Sequence, residues 1–163
     1  MIVINALIFS EDLIMKNISI VFNLLIFSIM TQAEKTNSKE PKSLFDRLGG
    51  TQGITRIVDD VVEAHMNNPA IQVRFLPYKE QPERMAVIRQ HTIDFFSAGS
   101  GGQVEYTGRD MTSTHTGMNI SATEYMCVID DVLQVLTQHN IDEDSKKDVL
   151  AILWSLKGMI MAK

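Results

Sequence analysis

The chain has 163 residues, 45% of them apolar and 21% charged, enough apolar material for one folded domain with its own core. Its formal charge of −5 argues against nucleic acid as a partner, because binding phosphates needs a cationic footprint. A single cysteine, Cys127, leaves neither an internal disulfide nor a CxxCH motif. It falls in a helical pattern and is expected to behave as a small core residue.

Taken in order, the chain opens with a leader. Met15-Lys16-Asn17 precede an apolar run of 13 residues at 18–30, and Thr31-Gln32-Ala33 supply small residues where a cleavage site requires them. The run is shorter than the about 20 residues a membrane span needs, so the reading is an export signal; left uncleaved, it would anchor the chain in a membrane. Glu11 and Asp12 suit neither a signal nor a span, so translation is expected to begin at Met15. Residues 1–33 are thus assigned to the leader, 34–42 (polar, with Pro41) to a flexible linker, and 43–163 to a domain that is periplasmic or secreted.

From Ser43 onward the periodicity is helical throughout. Ser43 is a cap for a short helix that Gly49-Gly50 ends, and Thr51 a cap for the next. Ile54, Ile57, Val58, Val61, Val62 and Met66 form the apolar face of that second helix, which Asn67-Asn68-Pro69 stops. A turn from Ile71 to Phe75 closes at Pro77, and Pro82 suits the first turn of another helix. There Ile88, Thr92, Phe95 and Phe96 share a face, with His91 at its border. Gly99, Gly101 and Gly102 are candidates for positive φ. Ser121 and Glu124 spell a capping box before the stripe Tyr125, Val128, Ile129, Val132, Leu133 and Leu136. Asn140 marks a turn, Asp142 a cap, and the last helix buries Val149, Ile152, Leu153, Leu156 and Ile160, with Trp154 beside them. Four long helices and several short ones predict a small all-α domain.

The chemistry-bearing stretch is YTGRDMTSTHTG at 106–117. Met111, His115 and Met118 stand at i, i+4 and i+7, which would place them on one helical face. Of the other histidines, His65 is expected to be structural and His139 exposed. No HExxH or CxxC accompanies the four histidines, so zinc is a poor rival.

Three segments, SLFDRLGG at 43–50, FFSAGSGG at 95–102 and YTGRDM at 106–111 followed by His115, together resemble the truncated haemoglobins, group I in particular. The resemblance implies a 2-on-2 helical sandwich holding haem b, with His115 as the proximal iron ligand. No CxxCH is present, so the haem would be non-covalent with respect to such links. It further implies that Phe75 wedges against the haem face and that Phe95 and Phe96 line the distal side and ligand tunnel. Met111, Met118 and Ile120 would touch the macrocycle proximally, and Arg109 would pair with a propionate.

On the distal side the chain departs from its relatives. Val61 and Val62 stand where many members carry a Phe-Tyr pair, and Ile88 and Thr92 where glutamine or leucine is usual. His91 aligns with a histidine that coordinates the iron in cyanobacterial members and is a candidate second ligand. The expected function is binding of dioxygen, NO or CO, with oxidation of NO to nitrate as an associated activity that would need an external reductase. The alternatives are a six-coordinate haem protein for electron transfer or redox and gas sensing, and a haem-free helical interaction protein.

Overall fold

Local chemistry sets the helix ends. The computed structural model describes residues 41–163; the expected leader, and residues 34–40 of the expected linker, lie outside the described residues. Ser43 accepts the Asp46 amide and caps α1, Leu44–Arg47. Gly49, left-handed at φ 87°, then serves as N-cap of α2, Gly50–Asn67. Thr51, the expected cap, lies inside the first turn instead. The chain has to turn left-handed directly after Leu48, and glycine does so without steric cost.

Beyond α2 the expected single turn is two 3-10 helices, Gln72–Arg74 and Leu76–Glu80, with Pro77 inside the second rather than ending the first. Pro82 opens α3, Pro82–Gly99, where its missing N–H is not needed. Of the three candidate glycines only Gly101 has positive φ, at 94°. Gly99 is still helical. Gly102 is required for space: a Cβ there would stand 2.7 Å from the Phe45 ring and 2.8 Å from the Ser97 carbonyl oxygen. After α4, Met111–His115, the Ser121–Glu124 capping box starts α5, Ala122–Gln138. Left-handed Asn140, at φ 56°, lets the Ile141 amide return to the Leu136 carbonyl at 3.0 Å. Asp142 then caps α6, Glu143–Ile160.

Helix α2 packs on α3 and across α5, α5 packs on α6, and the short α1 and α4 rest on α6. The result is a two-over-two all-α sandwich. Its centre is Ile54, Ile57 and Val58 of α2, Ile129, Val132, Val135 and Leu136 of α5, and Val149 and Leu153 of α6, each burial contributing about 1.5–3 kcal/mol. The Tyr125 hydroxyl donates to the Leu153 carbonyl, and Arg47 joins α1 to Ser145 and Asp148 of α6. Val128, Leu133, Ile152 and Leu156 are only half-buried, and so is Cys127, which is therefore not a core residue. Trp154 stays 49% exposed under the Lys157 ammonium at 3.9 Å. Among the described residues no helix is long and apolar enough to cross a membrane.

Helix α3 departs most from its expected pattern. It buries Ile93 and Ser97, while Ile88, Thr92, Phe95 and Phe96 are half-buried. It therefore has two apolar faces, one turned to the core and one that the rest of the described protein only partly covers.

The close approach of α1 to α2 makes one substitution diagnostic. A Cβ on Gly53 would lie 2.0 Å from the Leu48 carbonyl oxygen. Alanine's helix propensity favours it over glycine by about 1 kcal/mol, but a backbone contact that short outweighs this. Gly53→Ala is expected to destabilise the domain by about 2 kcal/mol or more, read by denaturant unfolding; a neutral or stabilising result would mean that α1 is not seated against α2 in this way.

Candidate functional site

The site is built from α4 outward. Asp110 caps this single turn, accepting the Ser113 amide at 2.9 Å and the Ser113 hydroxyl at 2.6 Å. Those bonds, the hydroxyl foremost, hold its carboxyl below the usual range. The helix stops at His115, because Thr116 is extended at ψ 128° and Gly117 is left-handed at φ 85°. Met118 therefore does not share a helical face with Met111 and His115, contrary to the i, i+4, i+7 spacing. The turn instead brings the Met118 amide back onto the His115 carbonyl at 3.0 Å.

His115 is half-buried, and its Nδ1 stands 2.7 Å from the Met111 carbonyl oxygen. A carbonyl only accepts, so Nδ1 carries a proton, and the neutral tautomer with this bond has Nε2 as its unprotonated nitrogen. Among the described residues no hydrogen bond reaches Nε2. A histidine ligand of a haem iron needs this tautomer and this backing, so the residue fits the role. The loop beyond is tied to the end of the chain: the Asn119 amide donates to the Lys163 carbonyl at 2.8 Å, and the Ala162 amide to the Ile120 carbonyl at 3.0 Å. Ile120 and Met111 pack against the core.

Val61, Thr92 and Phe96 line a narrow cavity of about 20 Å³ together with core residues of α2, α5 and α6. That exceeds the roughly 10–15 Å³ one water-sized body needs. Val62 packs against the core without lining the cavity. Thr92 is the cavity's only hydroxyl, and it donates to the Ile88 carbonyl at 2.9 Å, so its proton is already committed. Ile88 adds no polar group.

His91 has a buried Nδ1 without a hydrogen-bond partner among the described residues. Its ring meets the Tyr106 ring edge-on at 6.1 Å; Phe95 does so at 5.3 Å. The Tyr106 hydroxyl donates to the Arg109 carbonyl at 2.7 Å, and burial lifts its pKa, which keeps it a donor at neutral pH. Tyr106 thus connects α3 to the start of α4. The Arg109 side chain is exposed.

Phe75, half-buried, lies against the His65 ring at 4.9 Å. His65 is 6% exposed and donates from Nδ1 to Asp131 at 2.9 Å, a carboxylate that also accepts from the Asn68 side-chain amide at 2.9 Å. Phe75 therefore rests on a tethered ring. His139, expected to be exposed, is partly buried and sits 2.6 Å from Asp60. Sequence reasoning missed the roles of Tyr106, of the His65–Asp131–Asn68 set and of Arg74, whose guanidinium reaches Met118 and Glu124. Tyr106 lay within the motif already singled out; the other partners are dozens of residues apart and carried no local signal.

Comparison with known proteins places this arrangement. The bacterial-like globin family matches residues 43–162. The chain is 23% identical over 121 residues to the group 1 truncated hemoglobin GlbN of Nostoc sp. (strain MUN 8820), covering 74% of this chain and 98% of that protein. It is 24% identical to a group 1 truncated hemoglobin of Chlamydomonas moewusii, covering 76% of this chain and 70% of the relative. Among solved structures, the truncated hemoglobin of Tetrahymena pyriformis in its Fe(III) form superposes with a TM-score of 0.68 at 17% identity, over 75% of this chain and all (100%) of that one. The 2/2 hemoglobin of Synechococcus sp. PCC 7002, solved with covalently attached heme, gives 0.63 at 21% identity, over 71% and 94%.

The support under Phe75 has a pH signature. Burial lowers the His65 pKa, against the opposing pull of the Asp131 hydrogen bond and charge. As pH falls below the ordinary histidine value of about 6.5, the unfolded chain takes this proton first. Stability from neutral His65 is thus complete above that value and is lost as pH falls through the lowered one. The melting temperature should drop from pH 7 to pH 5, and His65→Asn, whose amide can still reach Asp131, should flatten the drop; an unchanged slope in the variant would refute the assignment.

Proposed function

This chain belongs to the bacterial-like globin family and is a truncated haemoglobin, and from that premise we propose that it holds a non-covalent haem b through His115 Nε2 and binds a diatomic gas on the opposite side. The observation that carries the reading is the 2.7 Å bond from His115 Nδ1 to the Met111 carbonyl, which leaves the other ring nitrogen free to ligate. When bound, the haem supplies an iron with an open position for dioxygen, NO or CO. Phe75 and Met111, Met118 and Ile120 serve as walls, and the exposed Arg109 guanidinium pairs with a propionate. The half-covered face of α3, with Ile88, Phe95 and Phe96, suits the flat apolar body of the group.

The distal lining decides what is held and for how long. Val61, Val62 and Ile88 have no donor, and the Thr92 hydroxyl is spent on the Ile88 carbonyl. Polarised dioxygen then lacks a hydrogen bond of about 1.5–3 kcal/mol, a factor of about 10–150 in affinity. Conversion of NO to nitrate with that oxygen is an associated activity and needs an external one-electron reductase. With the leader read as an export signal, all of this takes place outside the cytoplasm, or at a membrane where the leader is retained.

A second reading is favoured by one observation: the buried Nδ1 of His91 has no hydrogen-bond partner among the described residues, so no hydrogen bond there fixes the ring against turning toward an iron. His91 as sixth ligand would suit electron transfer or redox and gas sensing rather than gas carriage.

The purified chain reconstituted with hemin should elute coloured, and after reduction should give a CO spectrum typical of a histidine-ligated haem. His115→Gly should lose that spectrum and recover it with added imidazole; a variant identical to wild type would end the assignment. His91→Ala should convert any bis-histidine spectrum to a five-coordinate or aquo-ligated one, and an unchanged spectrum excludes His91 as a ligand. By stopped flow, oxygen release should be fast, whereas slow release would show that a donor reaches the gas after all.

A further inference from the structure

We propose that Arg74 is a positioning residue for His115, clamping the turn that follows α4 and thereby setting the orientation of the imidazole. The inference rests on the reading of His115 as the iron ligand and adds to it the group that keeps that ligand aimed.

The geometry runs through one guanidinium. Arg74 ends the first 3-10 helix, next to Phe75. Its Nη1 donates to the Met118 carbonyl at 2.8 Å, while Nε donates to Glu124 Oε1 at 2.9 Å and Nη2 stands 2.8 Å from the same oxygen as an ion pair. The other Glu124 oxygen is committed to the α5 cap, taking the Ser121 amide at 2.9 Å and hydroxyl at 2.8 Å. From Met118 the path continues inward: its amide donates to the His115 carbonyl at 3.0 Å, and His115 Nδ1 donates to the Met111 carbonyl at 2.7 Å. Arg74 is thus linked through Met118 to the backbone of the residue whose ring would carry the iron.

A clamp is needed because α4 has only five residues, too few to hold its own geometry in water. Asp110 secures its first turn; its exit depends on what grips residues 116–120. The backbone pairing with Lys163 and Ala162 grips Asn119 and Ile120, and Arg74 grips Met118. The pair is partly buried, with side-chain exposures of 31% and 21%, and Glu124 is held down to about 2 by its bonds to Ser121 and Arg74. The carboxylate therefore stays charged at any pH at which the protein works. Two donors in one rigid plane reach a carboxylate and a carbonyl together; a lysine ammonium is a point charge and does not reproduce that fork.

The test uses the full chain with Arg74→Leu and Arg74→Lys. In the haem-free protein, amide exchange by NMR should show the Met118 N–H exchanging about ten times faster in Arg74→Leu, the scale of one charge-assisted hydrogen bond. In the hemin-reconstituted, reduced protein, the iron–histidine stretching band in resonance Raman should shift and broaden, and haem should pass to a scavenging apoprotein about ten times faster. Arg74→Lys keeps the charge opposite Glu124 and the fold, and should still move the band in the same direction; it decides the matter if the leucine variant does not fold. Faster Met118 exchange with an unmoved band would refute the coupling to His115, and no change in either would refute the clamp. A wild-type protein with no iron–histidine band would remove the His115 reading, and this proposal with it, while leaving the exchange result to report on the Met118 contact alone.

Discussion

The hydrogen bond from His115 Nδ1 to the Met111 carbonyl is the contact on which the site depends, because it settles two things at once. It fixes which nitrogen carries the proton, and it fixes the rotation of the ring about its own Cβ–Cγ bond. A helical turn supplies it by construction, since donor and acceptor are four residues apart. The difficulty is that α4 is one turn long. Its order is borrowed from Asp110 at the entrance, from the surface of α6 beneath it, and from the end of the chain and Arg74 at the exit. Each of these contacts is modest alone, and together they replace the helix length that α4 lacks.

The side proposed to face the gas would work by withholding polar groups. The cavity among Val61, Thr92, Phe96 and the core of α2, α5 and α6 has one hydroxyl, and the backbone of α3 consumes its proton. Polar atoms are found instead at the periphery, where Tyr106 links His91, Phe95 and Arg109. A pocket arranged this way would admit a small gas without gripping it. His91, whose buried Nδ1 has no hydrogen-bond partner among the described residues, is the group through which that behaviour would change from gas binding to self-ligation.

Most helix boundaries were legible because their causes are local. Ser43, Pro82, the Ser121–Glu124 box and Asp142 act within three or four residues of themselves, and each stands where its side-chain chemistry predicts. The errors arise where a neighbour in space overrides the local signal. Thr51 lost the cap to Gly49 because the chain had to reverse after Leu48. Gly102 proved to be a glycine of close approach, set by Phe45 some 57 positions earlier, rather than one of positive φ. Met118 left its helical register at Gly117 and acquired a different use for its backbone.

The amino-acid order by itself determined the all-α class, the four long amphipathic helices, the family to which the chain belongs, and the histidine on which its chemistry is expected to turn. Those properties live in caps, periodicity and short motifs, which act over one or two turns. Only the tertiary structure decided which face of α3 meets the core, that the His65 ring under Phe75 is tethered to Asp131, and that Arg74 grips the turn after His115. The last two are contacts between residues 44 to 66 positions apart, and a side chain carries no mark of its distant partner until packing brings the two together.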